Sequence, residues 1–255
     1  MDATYLPDAV QPRRRGYTVA VLTRLSFTIA TIACVVAIVL LWLAAAFPAA
    51  QSPDRENWTL SGNADGVAIY RQDVTGSAIV ALKGEGVVNA PLWKIAAILL
   101  DTHRAPEWVD SLVESRLIRR LTPTSYVEYN HLHLPLTIND REFVSEVHID
   151  VNPANRSVAL VYDPINDPSV PTSRRVRGQI VSGSFRARSL GPGRGTALTA
   201  EIHCDPKGAI PAWLVNVFQK SWPRKTFEGI RKQAAKPDIT MPEPFKALLV
   251  PTIEF

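Results

Sequence analysis

The chain has 255 residues, 46% of them hydrophobic and 20% charged, with a formal net charge of +4. That balance excludes an intrinsically disordered chain and leaves room for one domain with a sizeable core. It also excludes a nucleic-acid binder built on a basic face. Part of the excess charge sits in one cluster, Arg13, Arg14, Arg15 and Arg24, and no basic stripe with interleaved aromatics follows it. The two cysteines, Cys34 and Cys204, exclude a disulfide framework.

Residues 1–24 form the basic leader. Residues 25–47, LSFTIATIACVVAIVLLWLAAAF, carry no charge. Such a run is long enough to cross a bilayer as a helix, which takes about 20 residues. Arginines before it and polar residues after it set the N-terminus in the cytoplasm. Two outcomes stay open: an uncleaved anchor, or a signal peptide cut near the small residues Ala44-Ala45-Ala46. Either way the body is expected on the periplasmic or exterior side of a membrane. Residues 48–54, with Pro48 and Pro53, read as a linker.

The body, residues 55–236, opens with two patterned strands at 67–72 and 79–88. Pro91 then starts a helix, PLWKIAAILLD, as proline does in a first turn. A short helix over 106–113 carries Trp108. Strands follow at about 115–121, 124–133, 141–151, 156–162, 176–189 and 196–205. They are separated by Asn152-Pro153, a proline-rich stretch at 163–172 and GPGRG at 191–195. A long helix is predicted over 210–235, bent at Pro223; residues 237–255 are read as a tail. The order gives an α+β fold, one curved antiparallel sheet with a long C-terminal helix across it.

The stretch LPLTINDREFVSEVHI at 134–149 starts a strand with three charges, Asp140, Arg141 and Glu142. Alternation turns Phe143, Ser145, Val147 and Ile149 inward, and Glu142, Val144, Glu146 and His148 outward. Arg141 falls on the inward side and calls for a carboxylate partner near the rim. It either braces a loop or meets a ligand. The same alternation turns Val80, Leu82, Val158, Leu160, Val181, Phe185, Leu198 and Ile202 inward. On the C-terminal helix, Trp213 and Val217 share a face toward the sheet.

These features resemble the START lipid-transfer domains of bacterial type, which have a helix-grip fold. The resemblance rests on NWTLSGNADGVAIYRQ, on KGEGVVNAPLWKIAAILLDTHRAPEWVDSLVESRLI, on DREFVS and on GAIPAWLVN, in that order. It implies a single lipid held between the sheet and the C-terminal helix, lined by the inward residues above and covered by Trp213 and Val217. The same residues also fit a solid core. Some family members hold a buried acid–arginine pair; here Glu128 fills the acid position and Val147 stands where the partner would be. The loop at 163–175 is either a gate or an ordinary connection.

No metal is expected, because His131 and His133 share one strand face while His148 and His203 point away. No cofactor or phosphate-loop motif is present. A helix-grip enzyme of cyclase or hydrolase type would need a relay, and Glu128, Arg141 and Tyr162 are the polar candidates for it. A membrane-tethered module controlled by its ligand is a third reading. The expected partners are a lipid or similar apolar molecule and the membrane, with the chain a monomer.

Overall fold

The computed structural model describes residues 57–134 and 138–247. The uncharged run at 25–47 and the linker at 48–54 lie outside the described residues. The described residues belong to one compact unit, Glu56–Phe255. Its elements are β1 (Thr59–Ala64), β2 (Val67–Gln72), β3 (Ala81–Val88), α1 (Leu92–Leu100), a 3-10 helix (Thr102–Glu107), β4 (Leu112–Thr122), β5 (Ser125–Leu132) and β6 (Arg141–Asn152). After these come β7 (Ser157–Pro164), β8 (Val176–Arg177), β9 (Gln179–Ser189), β10 (Thr196–Asp205), α2 (Ala212–Gln219) and α3 (Trp222–Ala234).

The strands make one sheet in the order β1-β2-β3-β10-β9-β7-β6-β5-β4. Neighbours in that order are antiparallel. β7 covers β6 only from Ser145 onward. β8 takes the vacated edge, pairing Val176 with Arg141 and Arg177 with Glu142 in parallel. The expected α+β arrangement, an antiparallel sheet with helices at its C-terminal end, is therefore present.

Four elements differ from the sequence reading, the first being β1, which has no counterpart in it. The helix predicted over 106–113 is the 3-10 turn ending at Glu107, with Pro106 inside it; β4 begins already at Leu112. The strand predicted over 176–189 is broken at Gly178, where a Cβ would lie 2.4 Å from the Phe143 ring. The long C-terminal helix is two helices, α2 and α3, that meet at Lys220 and Ser221. Pro223 lacks the N–H needed to continue α2, but it fits the first turn of α3.

One half of the sheet is gripped tightly. Phe227 of α3 is fully buried against two glycines of β3. A Cβ at Gly84 would stand 3.1 Å from the Phe227 ring, and one at Gly86 would stand 3.0 Å from it. Leu82 and Val88 flank these glycines on the same inward face and are buried. Helix α1 buries nearly every side chain and joins Phe227, Ile230, Val147, Val158, Leu160 and Leu198 in the main core. That core runs past residue 236, because Ile239 and Phe245 are buried in it. The Phe245 ring lies 5.6 Å from Tyr126, with the Arg120 guanidinium 4.9 Å above it.

Candidate functional site

Each of the three charges that open β6 holds a different piece of chain. Asp140 receives His131 Nε2 at 2.7 Å and His133 Nδ1 at 2.9 Å. The His131 bond is the main reason its carboxyl sits below the usual range. Arg141 is buried and donates to the carbonyls of Pro206 and Lys207, both at 3.1 Å, and to that of Asn139. The expected carboxylate partner is thus replaced by backbone carbonyls, and Arg141 braces the turn after β10 and does not line the cavity described next. Glu142 points outward as predicted but is covered by residues 170–177. Its carboxylate accepts from Arg177, from Ser173 and from Tyr129.

On the inward side of the sheet, a cavity lies between β5, β6, β7, β9 and β10 and the segment from α1 through the 3-10 helix, with Trp222 of α3 also on its wall. It holds about 130 Å³ of internal room, or about 820 Å³ of empty space when its mouth is counted. Phe185 is the hub of its wall. The Trp108, Tyr162 and Trp222 rings sit 6.2, 6.1 and 6.4 Å from it. Such an aromatic wall is rigid and dry, and it favours apolar occupants.

The cavity has one strongly polar spot. Glu128 lies on β5 with its side chain buried in the wall, and the Asn130 amide donates to it. Burial pushes its carboxyl up to about 7, against the opposing hydrogen bond from Asn130. Ser145 stands directly across from it on β6. The Tyr126 hydroxyl faces the Glu128 carboxylate from the same strand. The buried Ser145 Oγ and, on the cavity wall, Trp108 Nε1 have no hydrogen-bond partner among the described residues, and buried polar groups are nearly always paired.

The START domain family model matches residues 44–233. The chain belongs to the START domain family. A START domain of this kind resembles an uncharacterised Pseudomonas aeruginosa protein, PA1579, with 25% identity over 194 residues, 76% of this chain and 94% of that one. The crystal structure of human STARD10 is similar with a TM-score of 0.65 at 21% identity, over 76% of this chain and 77% of that chain. A STAR-related lipid transfer protein fragment from Xanthomonas axonopodis gives 0.60 at 21% identity, over 70% of this chain and 99% of that chain. At these identities the structural likenesses establish the fold.

Within the START domain, the residues expected at the ligand divide into four groups. Glu128, Phe143, Phe185 and Ile202 line the cavity. Leu82, Val147, Val158, Leu160 and Leu198 are buried, with the last four packed in the main core under α1 and α3. Val80 is half-buried where the chain enters β3, and its N–H donates to Asn216 Oδ1 at 3.1 Å. Val181, Trp213 and Val217 are corrections: they are 38%, 66% and 60% exposed and do not line the cavity.

These three corrections have two local causes. The β9–β10 register slips between His203 and Cys204, so that Ser182 and Ile180 have partners and Val181 has none. A bulge of this kind reverses alternation, and Ile180 lines the cavity instead. Helix α2 is fixed by Asn216, whose amide accepts from Val80 N and donates to Ala78 O. With Asn216 tied there, Val215 turns inward and is buried, and Trp213 and Val217 turn out. The aromatic cover expected from Trp213 comes from Trp222. Among the described residues no group of three His, Cys, Asp or Glu side chains is arranged for a metal.

Proposed function

We propose that this START domain binds one lipid or similar apolar molecule in the Phe185 cavity and carries it, acting as a monomer. The observation that supports this most is the aromatic-walled space itself, left open in a domain whose other half is packed against glycines. A dry cavity of about 150 Å³ takes a benzene-sized guest, so the 130 Å³ of room holds an apolar fragment of about that size, and burying each methylene contributes about 0.8 kcal/mol before the costs of binding. A full-length lipid needs a wall to move. The Xanthomonas axonopodis neighbour named STAR-related lipid transfer protein supports the same reading.

The test is mass spectrometry of apolar material extracted from the purified chain. One apolar molecule per chain, unchanged in structure, is the expected result. A chain that holds none, and takes none up from vesicles, ends the carrier reading. Conversion of the bound molecule to a product would favour the enzyme reading, although Glu128 is paired with an amide and not with a base.

Our reading also anchors the domain to a membrane through residues 25–47, with the body on the periplasmic or exterior side. It rests on the uncharged run and the preceding arginines. A C-terminal reporter that works only in the cytoplasm is expected to stay silent; an active one overturns the topology.

A further inference from the structure

Residues 238–247 lie beyond the stretch that the family model matches, yet they carry Ile239 and Phe245 into the main core. Their attachment is weaker than that of a strand. Among the described residues, no backbone–backbone hydrogen bond ties this segment to the sheet or the helices. The Phe245 N–H turns back to the Pro242 carbonyl, and Pro242 and Pro244 have no N–H to give. Two arginines hold the segment from outside, Arg104 on the Asp238 carbonyl at 3.3 Å and Arg120 on that of Pro244 at 2.6 Å. Both bonds are exposed to water, and segments held this way open before the core does. The buried end of the segment adjoins the cavity. The Phe245 ring lies 5.6 Å from that of Tyr126, and the Tyr126 hydroxyl meets Glu128 on the cavity wall. One side chain thus touches both the Phe245 ring and the wall. The other walls resist movement. Strands β5, β6, β7, β9 and β10 are each paired on both sides. Helix α3 is seated by Phe227 on Gly84 and Gly86, and by Gly229 against the Trp108 carbonyl.

We propose that residues 238–247 are a displaceable plug: the Phe245 ring occupies the far end of the ligand's own site, and a long-chain lipid binds by expelling it. This deepens the carrier reading and rests on it. The place that Phe245 would vacate is apolar, with Tyr126 on β5 and Val147 across from it on β6 both in the same core. A run of methylenes satisfies such a place as a phenyl ring does. The Arg120 guanidinium, 4.9 Å from the ring, loses its stacking and its carbonyl together and returns to water. Size then separates two classes of guest. A fragment that fits the open room of 130 Å³ leaves the tail seated. A long chain competes with the tail, and its apparent affinity falls with the fraction of time that Phe245 is in place.

The experiment uses the full chain in phosphatidylcholine vesicles and two photoactivatable probes. One is a phenyl diazirine, which matches the open room; the other is a diazirine-bearing hexadecanol, which exceeds it. Adducts and amide hydrogen exchange are both read by peptide mass spectrometry. In the parent, both probes are expected to label the segments around Trp108 and Phe185. Only hexadecanol should also label Tyr126, and only hexadecanol should speed exchange over 238–247, by about tenfold or more. In Phe245→Ala, hexadecanol labelling at limiting probe should rise about tenfold if the tail leaves its seat unaided about a tenth of the time. Phenyl labelling should stay as in the parent. Arg120→Met, which leaves the apolar core whole, should shift hexadecanol labelling the same way, and it decides the matter if Phe245→Ala does not fold. Hexadecanol adducts at Trp108 and Phe185 with exchange over 238–247 unchanged overturn the proposal. So do folded variants that take up both probes as the parent does, or phenyl labelling alone in the parent and the variants. If neither probe reaches the Trp108 and Phe185 segments, the carrier reading itself fails and the plug falls with it.

Discussion

Gly229→Ala is expected to destabilise the protein by about 3 kcal/mol or more, against the usual sign of that substitution. Alanine in a helix interior is ordinarily better than glycine by roughly 0.5–1 kcal/mol. Gly229 lies inside α3, between the fully buried Phe227 and Ile230. A Cβ there would stand 2.0 Å from the carbonyl oxygen of Trp108 and 2.9 Å from its carbonyl carbon. Those are backbone atoms, so no rotamer change relieves the overlap. Either α3 lifts off β3, opening the Phe227 contact, or the 3-10 segment moves away and takes Trp108 out of the cavity wall. Overpacking of a closed interior costs ~1–3 kcal/mol when side chains can adjust, and here they cannot. Urea unfolding of Gly229→Ala beside Lys232→Ala, an exposed site on the same helix, checks this. Equal stability of Gly229→Ala and the parent would show that α3 and the 3-10 helix do not meet as described.

That contact also shows which parts of the fold sequence patterns carry. Strand β6 keeps the inward side its alternation gives it, with Phe143, Ser145, Val147 and Ile149 buried, but burial alternates only in its second half, because Glu142 and Val144 on the other side are covered as well. Period-two burial is a property of one strand, and it can be read from that strand alone. The rotation of α2 cannot. The stretch AWLVNVF offers several apolar faces, and the choice among them is made by Asn216, whose partners lie 136 and 138 residues away. The amide in an otherwise apolar helix was the available signal, since a partly buried polar side chain must find a partner.

Val181 shows a second limit. A one-residue bulge at the far end of the β9–β10 pair exchanges Val181 for Ile180 at the cavity, and nothing in QIVSGSFRARS announces it. The candidate site was legible where it depended on strand parity, at Glu128, Phe143, Phe185 and Ile202. It was hidden where it depended on docking, as with Trp108, Asn130 and Trp222. The burial of Phe245 is of the same kind: its contacts with Tyr126 and Arg120 come from distant strands.

Removing the carboxylate at Glu142 is expected to cost about 3 kcal/mol and to release residues 170–177 from the outer face of the sheet. Glu142 is 1% exposed and receives Arg177 Nη2 at 2.9 Å, Arg177 Nε at 3.1 Å, and Ser173 through both its hydroxyl at 2.7 Å and its N–H at 3.2 Å. Tyr129, in the small apolar cluster that Ile165 and Val170 cover, adds its hydroxyl at 3.3 Å. Breaking one side of a buried pair typically costs ~3–5 kcal/mol. The Arg177 side chain is 22% exposed and can be partly rehydrated, which places Glu142→Gln at the lower end. Replacing both partners, Glu142→Gln with Arg177→Met, should recover part of the loss, because no charge is then stranded. Burial alone would raise the Glu142 carboxyl, but the Ser173 and Arg177 bonds outweigh it and hold it below its ordinary 4.5. A depressed carboxyl stabilises the fold above its unfolded value, and that stability is lost as pH falls through the folded value. In the parent, hydrogen exchange over 170–177 should therefore be slow at neutral pH and quicken, relative to the intrinsic rate, only below about 4.5. In Glu142→Gln it should be fast at both. Protection of 170–177 that survives the substitution would show that Ile165 and Val170 hold the loop, and that the ion pair does not.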